Sequence, residues 1–112
     1  MKRSGGGSII GMSYYGAEKV VLGYNVMGVA KAALECTSRY LASELGADGI
    51  RVNQISGGYL RTLASSAVAG TDRLEAGGAD VGKTAVYLLS DLASGVTGET
   101  IYVDCGANIL GA

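Results

Sequence analysis

The chain has 112 residues, 48% of them hydrophobic, enough for one compact core and too few for two ordinary domains. A net charge of −1, with 17% charged residues, excludes the clustered positive charge by which proteins grip nucleic-acid phosphates or anionic lipid. The opening MKRSGGGSII reads as neither a signal peptide nor a membrane span, so a cytoplasmic protein with a small neutral molecule or another protein as its partner is expected.

Taken in chain order, residues 8–12 form a short apolar, β-branched segment that predicts a buried strand ending near Tyr14. From 25 to 45, Val26, Val29, Ala30, Ala33, Leu34, Leu41 and Leu45 recur at helical spacing, and Gly46 stands where a left-handed C-cap belongs. Glu35 and Arg39, four apart on that helix, predict an ordinary solvated ion pair. Residues 50–55 give a second strand, stopped by Ser56, Gly57 and Gly58. Residues 63–68 could form one or two helical turns, and the glycine-rich stretch of about 69–79 reads as a flexible connection. Asp80 predicts an N-cap for a helix running to Asp91, with Val81, Ala85, Leu88, Leu89 and Leu92 on its buried side. Residues 100–103 are the last strand. Strand, helix, strand, helix, strand in this order predicts an α/β fold, a parallel sheet with right-handed crossovers and helices on both faces. Cys36 and Cys105, in a chain without histidine, cannot form an ordinary zinc site and are expected as buried thiols.

The chemistry centres on Tyr24 and Lys31. Seven residues at 100° each return almost to the same helical face, about 10 Å along the axis, so a phenol and an ammonium can address one ligand. A nearby ammonium is expected to favour the phenolate and lower the tyrosine pKa. By itself the pair is more often an ordinary surface lysine and a half-buried tyrosine.

Tyr24, Met27 and Lys31 together make Tyr-x-x-Met-x-x-x-Lys, the signature of divergent short-chain dehydrogenases. With GGSII, YYGAEKVVLGYNVMGVAKAALE, RYLASELG, GIRVNQIS, RTLASSAV, LLSDLASGVTGE and IYVD in order, nearly the whole chain resembles the C-terminal half of the NADH-dependent enoyl-acyl carrier protein reductases. The resemblance implies a single partial, three-layer Rossmann-like domain over 1–112, the second half of a doubly wound parallel sheet. It implies NADH as cofactor, an enoyl thioester on acyl carrier protein as substrate, and a homo-oligomer. Tyr24 is then the catalytic tyrosine at the enolate oxygen, Lys31 the ligand of the nicotinamide ribose, and Tyr14 the outer tyrosine near the thioester. Leu60 and Thr62 match cofactor-binding positions beside the carboxamide and pyrophosphate.

Several positions depart from that pattern. Leu22 and Tyr59 stand where proline is usual, Gln54 where a small residue is usual and Cys105 where glycine is usual, and the stretch before Asp80 is shorter than the family's substrate-binding lid. The glycine-rich pyrophosphate turn of the family's first half has no counterpart in these residues, so the chain alone is expected to reduce little substrate. A non-catalytic, self-assembling core is the alternative, since half a doubly wound sheet leaves an edge and apolar faces uncovered. Gly77, Gly82, Lys83 and Thr84 spell a phosphate-loop pattern, but no strand leads into it. Tyr15 and Lys19 match the ordinary dehydrogenase spacing, yet fall in the loop before the long helix. Gly5, Gly7 and Gly11 have the wrong spacing for a dinucleotide turn.

Overall fold

The computed structural model describes residues 1–58 and 78–110. Three parallel strands, β1 (Gly7–Ser13), β2 (Ile50–Gly57) and β3 (Thr100–Val103), lie in the order β1-β2-β3. The register pairs Gly7 with Ile50 through Ser13 with Ser56, then Gln54 with Thr100 through Gly57 with Val103. Helix α1 (Asn25–Leu45) joins β1 to β2, and α2 (Gly78–Leu89) precedes β3. The predicted strand, helix, strand, helix, strand order and parallel sheet are therefore present.

The period of two along β2 separates the layers. Ile50 and Val52 pack on Ala42 of α1, flanked by Leu41 and Leu45. Ile55, from the alternate set, packs on Val81 and Leu88 of α2 and on Ala93, with Ile10 of β1 and Ile101 and Val103 of β3 around them. Arg51, in the same set as Ile55, binds the end of α2: its guanidinium donates to the Leu88 carbonyl at 2.9 Å and the Ser90 carbonyl at 3.1 Å. These are carbonyls a helix C-terminus leaves without intrahelical partners, and a cation there also opposes the helix dipole. Both faces of the sheet are covered, as a parallel sheet requires.

Gln54 would overfill a buried strand, but its register partner is Gly11, where an added Cβ would meet the Gln54 amide at 2.8 to 3.0 Å. The amide nitrogen donates to the Leu34 carbonyl and to Ser38 of α1. A missing side chain on one strand thus accommodates the long one on its neighbour.

Four local expectations are corrected. Gly46 is right-handed (φ −58°, ψ −37°) and opens a 3₁₀ turn, Gly46–Asp48; the left-handed residue is Gly49, at φ 72°. Asp80 lies in the first turn of α2 rather than capping it, because the helix already begins at Gly78. Leu89 and Leu92 are exposed, since α2 ends at Leu89 and a separate 3₁₀ turn, Asp91–Ala93, buries Ala93 instead. Both cysteines are exposed, and Cys105 sits at φ 54°, a left-handed conformation that glycine adopts without strain.

Helix α1 meets the sheet with a different side from the one its apolar spacing predicts. Its buried residues are Gly28, Glu35, Ser38 and Ala42, while Val26 and Val29 are 75% and 72% exposed. The helix lays its small and polar side on the sheet and turns the valine stripe outward. Glu35 is 6% exposed and accepts a hydrogen bond from Ser13 Oγ at 2.9 Å, so it is not the solvated partner of Arg39 that their spacing suggested.

Candidate active site

At the carboxyl end of β1 the chain makes a 3₁₀ turn, Tyr15–Ala17, and returns through an exposed loop to α1. This brings Tyr14, just past the strand, against Tyr24 at the N-cap of the helix. Their ring centroids are 5.0 Å apart at 82°, an edge-on contact, and Tyr15 stacks edge-on against Tyr14 at 4.7 Å. Aromatic pairs favour this arrangement because the positive ring edge meets the negative face.

Two glycines make the approach possible. A Cβ on Gly16 would lie 2.5 Å from Tyr24 Cδ1, and one on Gly28 would lie 2.8 Å from the Gly16 carbonyl oxygen. The 3₁₀ turn therefore rests directly on the first turn of α1, with the Tyr24 ring over Gly16. Neither glycine carried a sequence signal, since they are twelve residues apart and meet only in the fold. A hollow of about 510 Å³ opens between residues 16–25 and the front of α1, with Tyr24 in its wall.

Lys31 lies two turns into α1, where its ammonium donates to the Met12 carbonyl at 2.8 Å. The cation is half-buried at the carboxyl end of β1. Ligands of open α/β sheets bind outside the carboxyl ends of the strands, so Lys31 stands at the end of the sheet where a bound ligand could accept from it. The Tyr24 pKa is raised by burial, not lowered by the lysine as the sequence had suggested. The phenol, protonated at neutral pH as any tyrosine is and shifted further that way here, suits a hydrogen-bond donor to a developing oxyanion.

The loop is tied to the sheet from the far side. Tyr102 of β3 donates its hydroxyl proton to the Glu18 carboxylate. Burial, then the hydrogen bond and the charge of Glu18, push the Tyr102 pKa well above the usual tyrosine value. Of the other predicted positions, Leu60 and Thr62 lie outside the described residues, as do Tyr59 and the stretches 63–68 and 69–77. Gly82, Lys83 and Thr84 of the phosphate-loop pattern are inside α2, where their backbone is helical, and Gly77 is outside the described residues. Tyr15 is in the 3₁₀ turn and Lys19 is exposed on the loop beyond it, away from the helical spacing their pattern needs.

The family model described as enoyl-(acyl carrier protein) reductase matches residues 1–108. The NADH-dependent enoyl-[acyl-carrier-protein] reductase FabI of Rickettsia conorii is 55% identical over 119 residues, covering 96% of this chain and 46% of its own. The corresponding protein of Nostoc sp. is 54% identical, covering 95% and 46%. Among solved structures, the reductase of Anaplasma phagocytophilum in complex with NAD superposes with a TM-score of 0.87 at 52% identity, over 97% of this chain and 46% of that one. That of Aquifex aeolicus superposes with a TM-score of 0.81 at 48% identity, over 94% and 41%. The chain spans about half the length of these relatives.

Proposed function

We propose, since the chain belongs to the enoyl-(acyl carrier protein) reductase family, that its residues form the proton-donating and ribose-holding half of an NADH-dependent enoyl-thioester reductase of fatty-acid synthesis. The observation that carries this reading is the edge-on pair of Tyr14 and Tyr24, with Lys31 on the same helix reaching the carboxyl end of β1.

Bound NADH would supply the hydride that reduces the enoyl double bond. The negative charge that then develops on the thioester oxygen needs a donor already aimed at it, because a preplaced dipole stabilises the transition state without reorganising. Tyr24 is that donor: a phenol is protonated at neutral pH, burial shifts it further toward that form, and Gly16 and Tyr14 fix its ring on two sides. Tyr14, the outer tyrosine, borders the acyl thioester. Lys31 fits a ribose hydroxyl, being a cation on α1 at the carboxyl end of β1 with three donor positions, one of which is given to the Met12 carbonyl. Leu60 and Thr62 are proposed, on the family resemblance, as the neighbours of the carboxamide and pyrophosphate.

Residues 1–112 are read as one partial Rossmann-like domain of a cytoplasmic homo-oligomer acting on acyl carrier protein. Among the described residues no helix is long and apolar enough to cross a membrane. The outward valines of α1, with Val20 and Leu22 at 93% and 95% exposure, support association with further copies. The same patch favours a second reading, in which the chain is a non-catalytic assembly core.

The test is a graft in which residues 1–108 replace the matching segment of the R. conorii relative. Oxidation of NADH by a short enoyl thioester is expected. A folded graft that binds NADH yet leaves the thioester unreduced would favour the assembly reading.

A further inference from the structure

The side of α1 that faces the sheet is polar where an apolar one would pack more simply. Lys31, Glu35 and Ser38 follow one another at helical spacing, and each bonds a strand: Lys31 to the Met12 carbonyl, Glu35 to Ser13 Oγ, and Ser38 to the Gln54 amide. Lys31 and Glu35, one turn apart on the helix, thus hold two consecutive residues of β1. Tyr14 is the next residue along.

We propose that Glu35 is a positioning residue that, through Ser13, fixes the end of β1 and so holds Tyr14 against Tyr24. A buried carboxylate is a poor way to gain stability, because apolar residues of similar volume often do as well or better in its place. What a directional bond adds is register. An apolar face tolerates sliding and repacking, whereas a hydroxyl and a carboxylate 2.9 Å apart define where the helix lies along the strand. Tyr24 caps α1 and Tyr14 leaves β1, so the helix–strand register sets the distance and angle between their rings. Gly28 permits a close approach at the front of the helix but has no group with which to choose the position. Ser13 and Glu35 are both 6% exposed, which shields their bond from competing water.

The catalytic meaning of this role rests on Tyr24 being the proton donor; the geometric role is tested without any activity. The experiment is tyrosine-ring NMR on the 112-residue chain, reading the cross-peaks between the Tyr14 and Tyr24 rings, alongside urea midpoints. Glu35→Leu and Ser13→Ala are each expected to abolish the cross-peaks, the double variant to do no more than either, and Glu35→Gln, which keeps an oxygen able to accept from Ser13, to retain them. Glu35→Leu is expected to do this without a fall in urea midpoint, which separates positioning from simple stabilisation. Cross-peaks that survive in Ser13→Ala, or are lost in Glu35→Gln, overturn the proposal; Ser13→Ala decides alone if Glu35→Leu does not fold. In the grafted enzyme the same variants should lower kcat with KM for NADH unchanged. A graft with no reductase activity would sink the functional reading and leave the ring cross-peaks, and therefore this inference, standing.

Discussion

Replacing Gly16 with alanine puts a methyl group where the Tyr24 ring now lies. A Cβ at that position is 2.5 Å from Tyr24 Cδ1 and 2.8 Å from Cε1, against an ordinary carbon–carbon contact of about 3.5 to 4.0 Å. The ring must retreat by about 1 Å to restore contact distance. Its room is limited, because Tyr14 stands edge-on at 5.0 Å and the Gly16 carbonyl is already pressed against Gly28. Overpacking of this kind typically destabilises by about 1 to 3 kcal/mol. The larger effect should be on chemistry, since a displacement of about 1 Å at a reacting group can lower the rate about 100-fold. Gly46→Ala is the control: that glycine is right-handed with nothing within 4 Å of an added Cβ, so alanine should stabilise by about 0.5 to 1 kcal/mol. The assays are urea midpoints of the chain and kcat of the grafted reductase. A Gly16→Ala protein with the parent's midpoint and kcat would show that the Tyr24 ring is not confined by the 3₁₀ turn, and the positioning argument would fail.

Arg51→Ala should destabilise by about 2 kcal/mol in urea titration, because the Leu88 and Ser90 carbonyls lose charged donors at the end of α2. Cys105→Gly should raise the urea midpoint, relieving a left-handed residue at φ 54° by about 0.5 to 1 kcal/mol. Tyr102 has a folded-state pKa above its unfolded value of about 10, so the stability linked to it is complete below pH 10 and lost as pH rises beyond that. Urea midpoints at pH 9 and pH 11 should therefore differ more in the parent than in Tyr102→Phe, where only the smaller contribution of Tyr24 remains.

Hydrophobic period and glycine punctuation were sufficient to read the strand and helix order. The bounds of α1 and β3 could be taken from the sequence because helix and strand periodicities differ sharply there. The face of α1 could not. Val26 and Val29 form the stripe that a core-facing helix usually carries, yet the sheet is met by Gly28, Glu35, Ser38 and Ala42, whose small or hydrogen-bonding side chains allow a close helix–strand approach. The true partner of Glu35 is hidden from the sequence for a related reason. Its local spacing to Arg39 suggests an ion pair, while its actual partner, Ser13, is 22 residues away and leaves no local pattern. The juxtaposition of Tyr14 with Tyr24 was accessible only through family resemblance, and the two glycines that permit it were not accessible at all. Gln54 and Cys105, which depart from the family pattern, became intelligible only once Gly11 and the left-handed backbone were seen.

Whether Tyr24 donates to the oxygen on which charge develops is read from kcat of the grafted reductase carrying Tyr24→Phe. Phenylalanine keeps the ring on Gly16 and against Tyr14 and removes only the hydroxyl. Loss of one oxyanion donor lowers kcat by about 100- to 1,000-fold, and KM for NADH should be unchanged because Lys31, not Tyr24, is assigned to the ribose. A Tyr24→Phe graft that turns over as fast as its parent would show that the Tyr24 hydroxyl is not the donor.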